Sequence, residues 1–343
     1  MFRFPRNFRR ITLSQFYTYL IFGALLLLAL YAVIPNRSRT FAPGGQERTH
    51  LRPSAERHGS FVAGNDTVWM SKISDAFRRL PDALIVGVKE GGTRELIALL
   101  KMHSEIVTPS EELNFFDDDE NYSRGIDWYR SQMPLVRMDQ VAVEEAPLYF
   151  SSEKAVERIY SVMPKVKIIL IVQDPIKRLI LDYENQKLVR IMPALEEAIT
   201  YQTKDGLILV KSDEPIVRLS QYDDDFLKFT RYFSADRILI LSGDRLMHKP
   251  WLEMERVQTF LGVGLEIRQE HFVYDKDSGD VCLRSPLTGP CIREQSVKKN
   301  IRQDIHGLLK EYFSVRVRRF QLLSGVDFFD EWLRFEQGSE NKI

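Results

Sequence analysis

The stretch Ala83-Leu84-Ile85-Val86-Gly87-Val88-Lys89-Glu90-Gly91-Gly92-Thr93-Arg94 decides the fold of this chain. Its first six residues are a continuous apolar run, the pattern of a strand buried on both faces. Gly91-Gly92-Thr93 turns the chain, and Glu95 to Met102 then shows helical spacing with Leu96, Leu99 and Leu100 on one side. Strand, glycine turn and helix in that order aim backbone N–H groups at an anion. A nucleoside-triphosphate loop would need Lys between its last Gly and the Thr, whereas here Gly92 meets Thr93 directly.

The same pattern recurs downstream. Val166 to Val172 is a second buried strand ending at Gln173-Asp174-Pro175, and Arg237 to Leu241 a third ending at Ser242-Gly243-Asp244. Helical patterns follow near 176–190 and 251–261. This alternation predicts an α/β fold, a mainly parallel central sheet flanked by helices, with its site at the carboxyl ends of the strands.

Composition narrows the function. The chain has 343 residues, 44% hydrophobic and 28% charged, which excludes a disordered or fibrous protein. Two cysteines exclude a disulfide-rich scaffold or a Cys₄ zinc site, and the six histidines lack metal-ligand spacing, so no metal is expected. In an oxidising compartment Cys282 and Cys291 would close a short ring across the intervening turn residues; two free thiols is the alternative. The acidic runs Asp117–Glu120 and Asp223–Asp225 read as solvated loops rather than metal ligands, Asp117 apart.

A formal net charge of zero hides an asymmetry. Residues 1–60 hold nine Arg, no Lys and two Glu, and the remaining 283 hold 39 basic and 46 acidic side chains. An acidic main domain argues against nucleic-acid binding. Phe16 to Ile34 is nineteen residues without a charge, about 28 Å as a helix and enough to cross a bilayer. The expected organisation is a cytosolic tail (1–15), a transmembrane anchor (16–34), a lumenal stem (35–78), a main folded domain (79–335) and a C-terminal tail (336–343). Glycosylation triplets begin at Asn36, Asn65 and Asn121, with Asn36 too close to the membrane to be a good acceptor.

Several segments make the reading more specific. Pro81-Asp82-Ala83-Leu84-Ile85-Val86-Gly87, Gly91-Gly92-Thr93-Arg94, Leu113-Asn114-Phe115-Phe116-Asp117, Trp128-Tyr129-Arg130-Ser131-Gln132-Met133-Pro134 and Pro147-Leu148-Tyr149-Phe150 together resemble the heparan sulfate glucosamine 3-O-sulfotransferase family. Asp174-Pro175, Asp182-Tyr183, Gly243-Asp244-Arg245-Leu246 and the cysteine loop agree in order, over about residues 80–332. The resemblance implies a Golgi type II membrane protein with a P-loop-like donor site for 3′-phosphoadenosine 5′-phosphosulfate, and a heparan sulfate chain as partner. It assigns Glu112 as the base that deprotonates the glucosamine 3-hydroxyl and Asp117 as the supporting acid, with Gly91, Gly92, Thr93 and Arg94 cradling the donor.

Departures from the family pattern gather at that donor site. Glu90 stands where the family has a phosphosulfate-binding Lys, with Lys89 beside it but directed elsewhere. Gln173 replaces an Arg and Leu181 a Ser that hold the 3′-phosphate; Val281 replaces an aromatic. Ser296 to Asn300, with Lys298 and Lys299, replaces the segment that closes over the donor. On the acceptor side Asn114 stands for a His and Glu145-Ala146 for a Lys-Thr pair. Charge-assisted hydrogen bonds contribute about 1.5–3 kcal/mol each, so losing three costs on the order of 5–9 kcal/mol if additive. The implied function is 3-O-sulfotransfer to heparan sulfate; the alternative is a weak or inactive member that binds a glycan or a Golgi protein.

Overall fold

The computed structural model describes residues 75–276, 278–284, 289–293, 301–327 and 332. The expected tail and anchor, the stem up to residue 74 with Asn36 and Asn65, Lys298, Lys299 and the C-terminal tail lie outside the described residues. In chain order the strands are β1 (Phe77–Arg78), β2 (Ala83–Gly87), β3 (Ile106–Val107), β4 (Leu135–Val136), β5 (Val141–Glu145) and β6 (Lys167–Val172). Then come β7 (Thr200–Gln202), β8 (Ile208–Val210), β9 (Ile238–Ser242), β10 (Phe272–Tyr274), β11 (Val281–Leu283) and β12 (Cys291–Ile292).

Five of these form the central sheet in the order β3-β5-β2-β6-β9, every pairing parallel. The three expected strands are β2, β6 and β9, each within a residue or two of its predicted bounds. Alternate residues serve opposite faces. Leu84, Val86, Ile168 and Leu170 pack with Phe115, Phe116 and Tyr129 on one side. Ala83, Ile85, Ile169 and Ile171 pack with Leu96, Leu99, Leu100 and Val257 on the other. Helices Thr93–Leu100, Pro175–Val189 and Pro250–Leu261 follow β2, β6 and, after a short turn of helix, β9.

The helix Pro175–Val189 is fixed at its start by chemistry visible in the sequence. Asp174 accepts from the amides of Ile176 and Lys177 at 2.7 and 3.2 Å, and Pro175 fills the first turn, where no amide donor is needed. Cys282 and Cys291 face each other across β11 and β12 and are joined in a disulfide.

One expectation fails. Asp223–Asp225 is no solvated loop but the first turn of the helix Tyr222–Thr230, with Asp223 and Asp225 buried. Arg316 and Arg319 of the long helix Gln303–Ser324 reach Asp223 at 3.1 and 3.0 Å, and Arg218 reaches Asp225 at 2.6 Å. Carboxylates at a helix N-terminus gain from its dipole, and here they also pin the helix Gln303–Ser324 to the domain. Removing one partner of a fully buried pair costs about 3–5 kcal/mol. Arg319 is half exposed, so Asp223→Asn is expected to lose about 2 kcal/mol in chemical denaturation. A loss near zero would mean that solvent screens the clamp.

Candidate functional site

Because the sheet is parallel, β2, β5, β6 and β9 all deliver their carboxyl ends to one edge. The turn after β2 closes tightly. A Cβ on Gly91 would lie 2.6 Å from the Ile171 carbonyl oxygen, and Gly92 caps the helix at φ 108°, a left-handed conformation that suits glycine. Gly243, after β9, approaches the Gly91 carbonyl so closely that no side chain fits between. These contacts seat the turn as an anion cradle at a helix N-terminus.

Beside it opens a cleft enclosing about 570 Å³, solvent at its mouth included. Lys89, Glu90, Gly92, Thr93, Arg94 and Glu95 line one wall, and Gln173, Lys177 and Leu181 the other, with Pro147, Met247 and Arg293 at the margins. The predicted donor residues Lys89, Glu90, Gly92, Thr93, Arg94, Gln173 and Leu181 thus converge on one space, with Gly91 buried behind them. Val281 is not among the lining residues; it is buried in β11, opposite Ile292 and Tyr274. Sequence reasoning missed Lys177 and Arg293 as lining cations, although Lys177 could have been found as the third residue of the helix that follows β6.

The side chains that would greet an anion are already engaged. Lys89 Nζ donates to the buried Asp182 at 2.8 Å, and Arg178, wholly buried, donates to the same carboxylate at 3.0 Å and to Ser220 at 2.6 Å. Burial alone would raise the Asp182 carboxyl, but Arg178 and Lys89 outweigh it and hold it below its usual range. Gln173 donates its amide to the Glu90 carbonyl, closing the two walls on each other. Glu90 sits at φ 61°, a left-handed conformation uncommon outside glycine. Lys177 pairs with Asp244 and Arg293 with Asp280, each at 2.8 Å.

Set against the donor that the resemblance implies, these residues fit in part. The glycine backbone would hold a sulfate or phosphate, and Lys177, Arg293 and Arg94 bring positive charge to the cleft. Glu90 and Leu181 offer nothing to an anion, and Gln173 spends a donor on Glu90.

The acceptor-side residues gather next to the turn. Glu145 ends β5, and its carboxyl interacts with the Thr93 side chain, with Glu112, and with Arg94 and Lys101. Burial is the main reason its carboxyl is raised above the usual range. Asp117, half-buried, is raised for the same reason, with Asp118 and Glu112 adding to it against bonds from backbone amides. Glu112 is exposed, and Asn114 turns the chain at φ 46°. One side-chain oxygen on each of Asn114, Asp117 and Glu145 is buried without a hydrogen-bond donor. Asn121 lies near by, and its amide nitrogen, the atom a glycan would occupy, donates to the Leu113 carbonyl at 3.1 Å.

The profile of the sulfotransferase domain family matches residues 80–324. Mouse heparan sulfate glucosamine 3-O-sulfotransferase 5 is 33% identical over 276 residues, which cover 78% of each chain. Human heparan sulfate glucosamine 3-O-sulfotransferase 6 is 35% identical over 256 residues, 73% of this chain and 74% of that one. Among solved structures, a sulfotransferase from Alicyclobacillus acidocaldarius aligns over 74% of this chain and 99% of its own, with a TM-score of 0.56 at 18% identity, a likeness of fold. The chain carries a sulfotransferase domain and belongs to the heparan sulfate glucosamine 3-O-sulfotransferase family.

Proposed function

We propose that this protein transfers a sulfuryl group from 3′-phosphoadenosine 5′-phosphosulfate to the 3-hydroxyl of a glucosamine in heparan sulfate. The observation that carries this reading is that the half-buried Glu145 carboxyl feels the charge of Glu112 from one segment and, from the anion cradle, the Thr93 side chain and the charge of Arg94. A base and an anion-binding turn whose charges are felt by one carboxylate belong to one site, as a shared reaction requires. We place the reaction in the Golgi lumen, with residues 16–34 as the membrane anchor.

The donor supplies an electrophilic sulfur with a phosphate leaving group. Glu112, exposed and so open to a sugar, takes the hydroxyl proton as the new O–S bond forms. The amides of Gly92 and Thr93 and the charges of Lys177 and Arg293 face the negative charge that builds as the sulfur–phosphate bond breaks. Asp117 and Glu145, with raised carboxyl pKa values, flank the acceptor and orient its hydroxyl.

A second reading, a protein that keeps the fold and binds a glycan or Golgi protein without transferring sulfate, is favoured by one arrangement. The cation next to the cradle, Lys89, is tied to Asp182, and Gln173 is tied to the Glu90 carbonyl. Sulfate transfer to heparan sulfate by the purified chain decides between the readings. The enzymatic reading predicts turnover that Glu112→Gln lowers about 10²- to 10⁴-fold; no transfer above that variant contradicts it. Glu90→Lys combined with Gln173→Arg should tighten 3′-phosphoadenosine 5′-phosphate at least ~30-fold in calorimetry, since two charge-assisted contacts are regained. An unchanged affinity would remove this cleft as the donor site.

A further inference from the structure

We infer that Glu144 is a positioning residue: through the hydroxyls of Tyr129 and Tyr149, its buried carboxylate holds the segment that carries Glu112 and Asp117 in place beside the anion cradle. The inference rests on the proposed role of that segment, but the contacts stand on their own. Glu144 and Glu145 end β5, and strand alternation turns them to opposite faces. Glu145 goes to the turn, while Glu144 is fully buried.

Both oxygens of Glu144 are used. Tyr129, also fully buried, donates its hydroxyl to Oε2, and Tyr149 donates to Oε1 at 3.1 Å. The Tyr149 oxygen in turn accepts the backbone amides of Phe115 and Phe116 at 2.8 and 3.3 Å. The Phe115 ring stacks on Tyr129 with centroids 4.4 Å apart. Two tyrosines therefore grip residues 115 and 116 by hydrogen bond and by ring, and both hang from one carboxylate.

Proton counting shows which form of Glu144 fits. As a carboxylate it accepts both hydroxyl protons, which leaves the Tyr149 lone pairs for the two amides. A protonated Glu144 adds a donor, and in a site closed to solvent one hydroxyl or amide then loses its acceptor. Burial pushes the Glu144 carboxyl up to about 7, against the pull of Tyr129 and Tyr149, with the Asp117 charge adding to the rise. Its register partner on β2, Leu84, is apolar and offers no compensation.

Position and stability therefore respond to pH in opposite senses. The folded-state value lies above the unfolded one of 4.5, so the stability contributed by this group is complete below 4.5 and is lost as pH rises through about 7. The grip on Phe115 and Phe116 strengthens over the upper part of that range. Residue-resolved amide exchange of the full chain from pH 6 to 8.5, expressed as protection factors, separates the two. Positioning predicts that protection of the Phe115 and Phe116 amides rises at least tenfold with pH. In Tyr149→Phe it should be low and flat, and in Glu144→Gln it should be flat while the thermal midpoint at pH 8 holds or rises. Protection that falls with pH in step with global stability, or that survives Tyr149→Phe, overturns the inference. If protection behaves as expected and no sulfate is transferred at any pH, the proposed function fails while the positioning role stands.

Discussion

At the carboxyl edge of the sheet, Gly91 is pressed against Val88 and the Ile171 carbonyl, and Gly243 against the Gly91 carbonyl, so closely that neither position admits a side chain. The rest of the site depends on that approach. It seats the turn after β2 against the loop after β9 and brings the amides of Gly92 and Thr93 to the floor of the cleft. It also fixes where the helix Thr93–Leu100 begins, and so where Thr93 meets Glu145. A larger residue at either glycine would have to displace backbone of β6 and of the turn after β2, packed at crystal-like density.

Anion recognition in such a site has two parts, one in the backbone and one in side chains. The backbone part is kept here, because it follows from a fold whose strands, glycines and helix start are all present. The side-chain part has been turned inward. Lys89 and Arg178 share Asp182, Gln173 bonds the Glu90 carbonyl, and Glu90 faces the cleft. Burying Asp182 with two cations is stable because each charge is answered, but it leaves less positive charge for a ligand.

Much of this was legible in the sequence. Apolar runs give β2, β6 and β9 because strands buried on both faces carry no polar interruption. The glycine turn, the Asp174-Pro175 helix start and the cysteine pair were readable because each has a local cause. β5 was hidden: Val141-Ala142-Val143 runs straight into Glu144 and Glu145, and a buried carboxylate looks like the end of a strand unless its tyrosine partners are known. The same limit explains Asp223 and Asp224, whose arginines lie some ninety residues further along the chain. Charged side chains read as solvated when their partners are remote in sequence.

The central claim is that the backbone amides of Gly92 and Thr93 still receive an anion although the surrounding side chains have been redirected. Titration of the isotope-labelled chain with 3′-phosphoadenosine 5′-phosphate, followed residue by residue in amide NMR spectra, tests it most directly. The account predicts that the Gly92 and Thr93 amide signals move first and furthest, even if saturation needs millimolar ligand. Signals that stay fixed at those two positions while others move, or that nowhere respond, would contradict it.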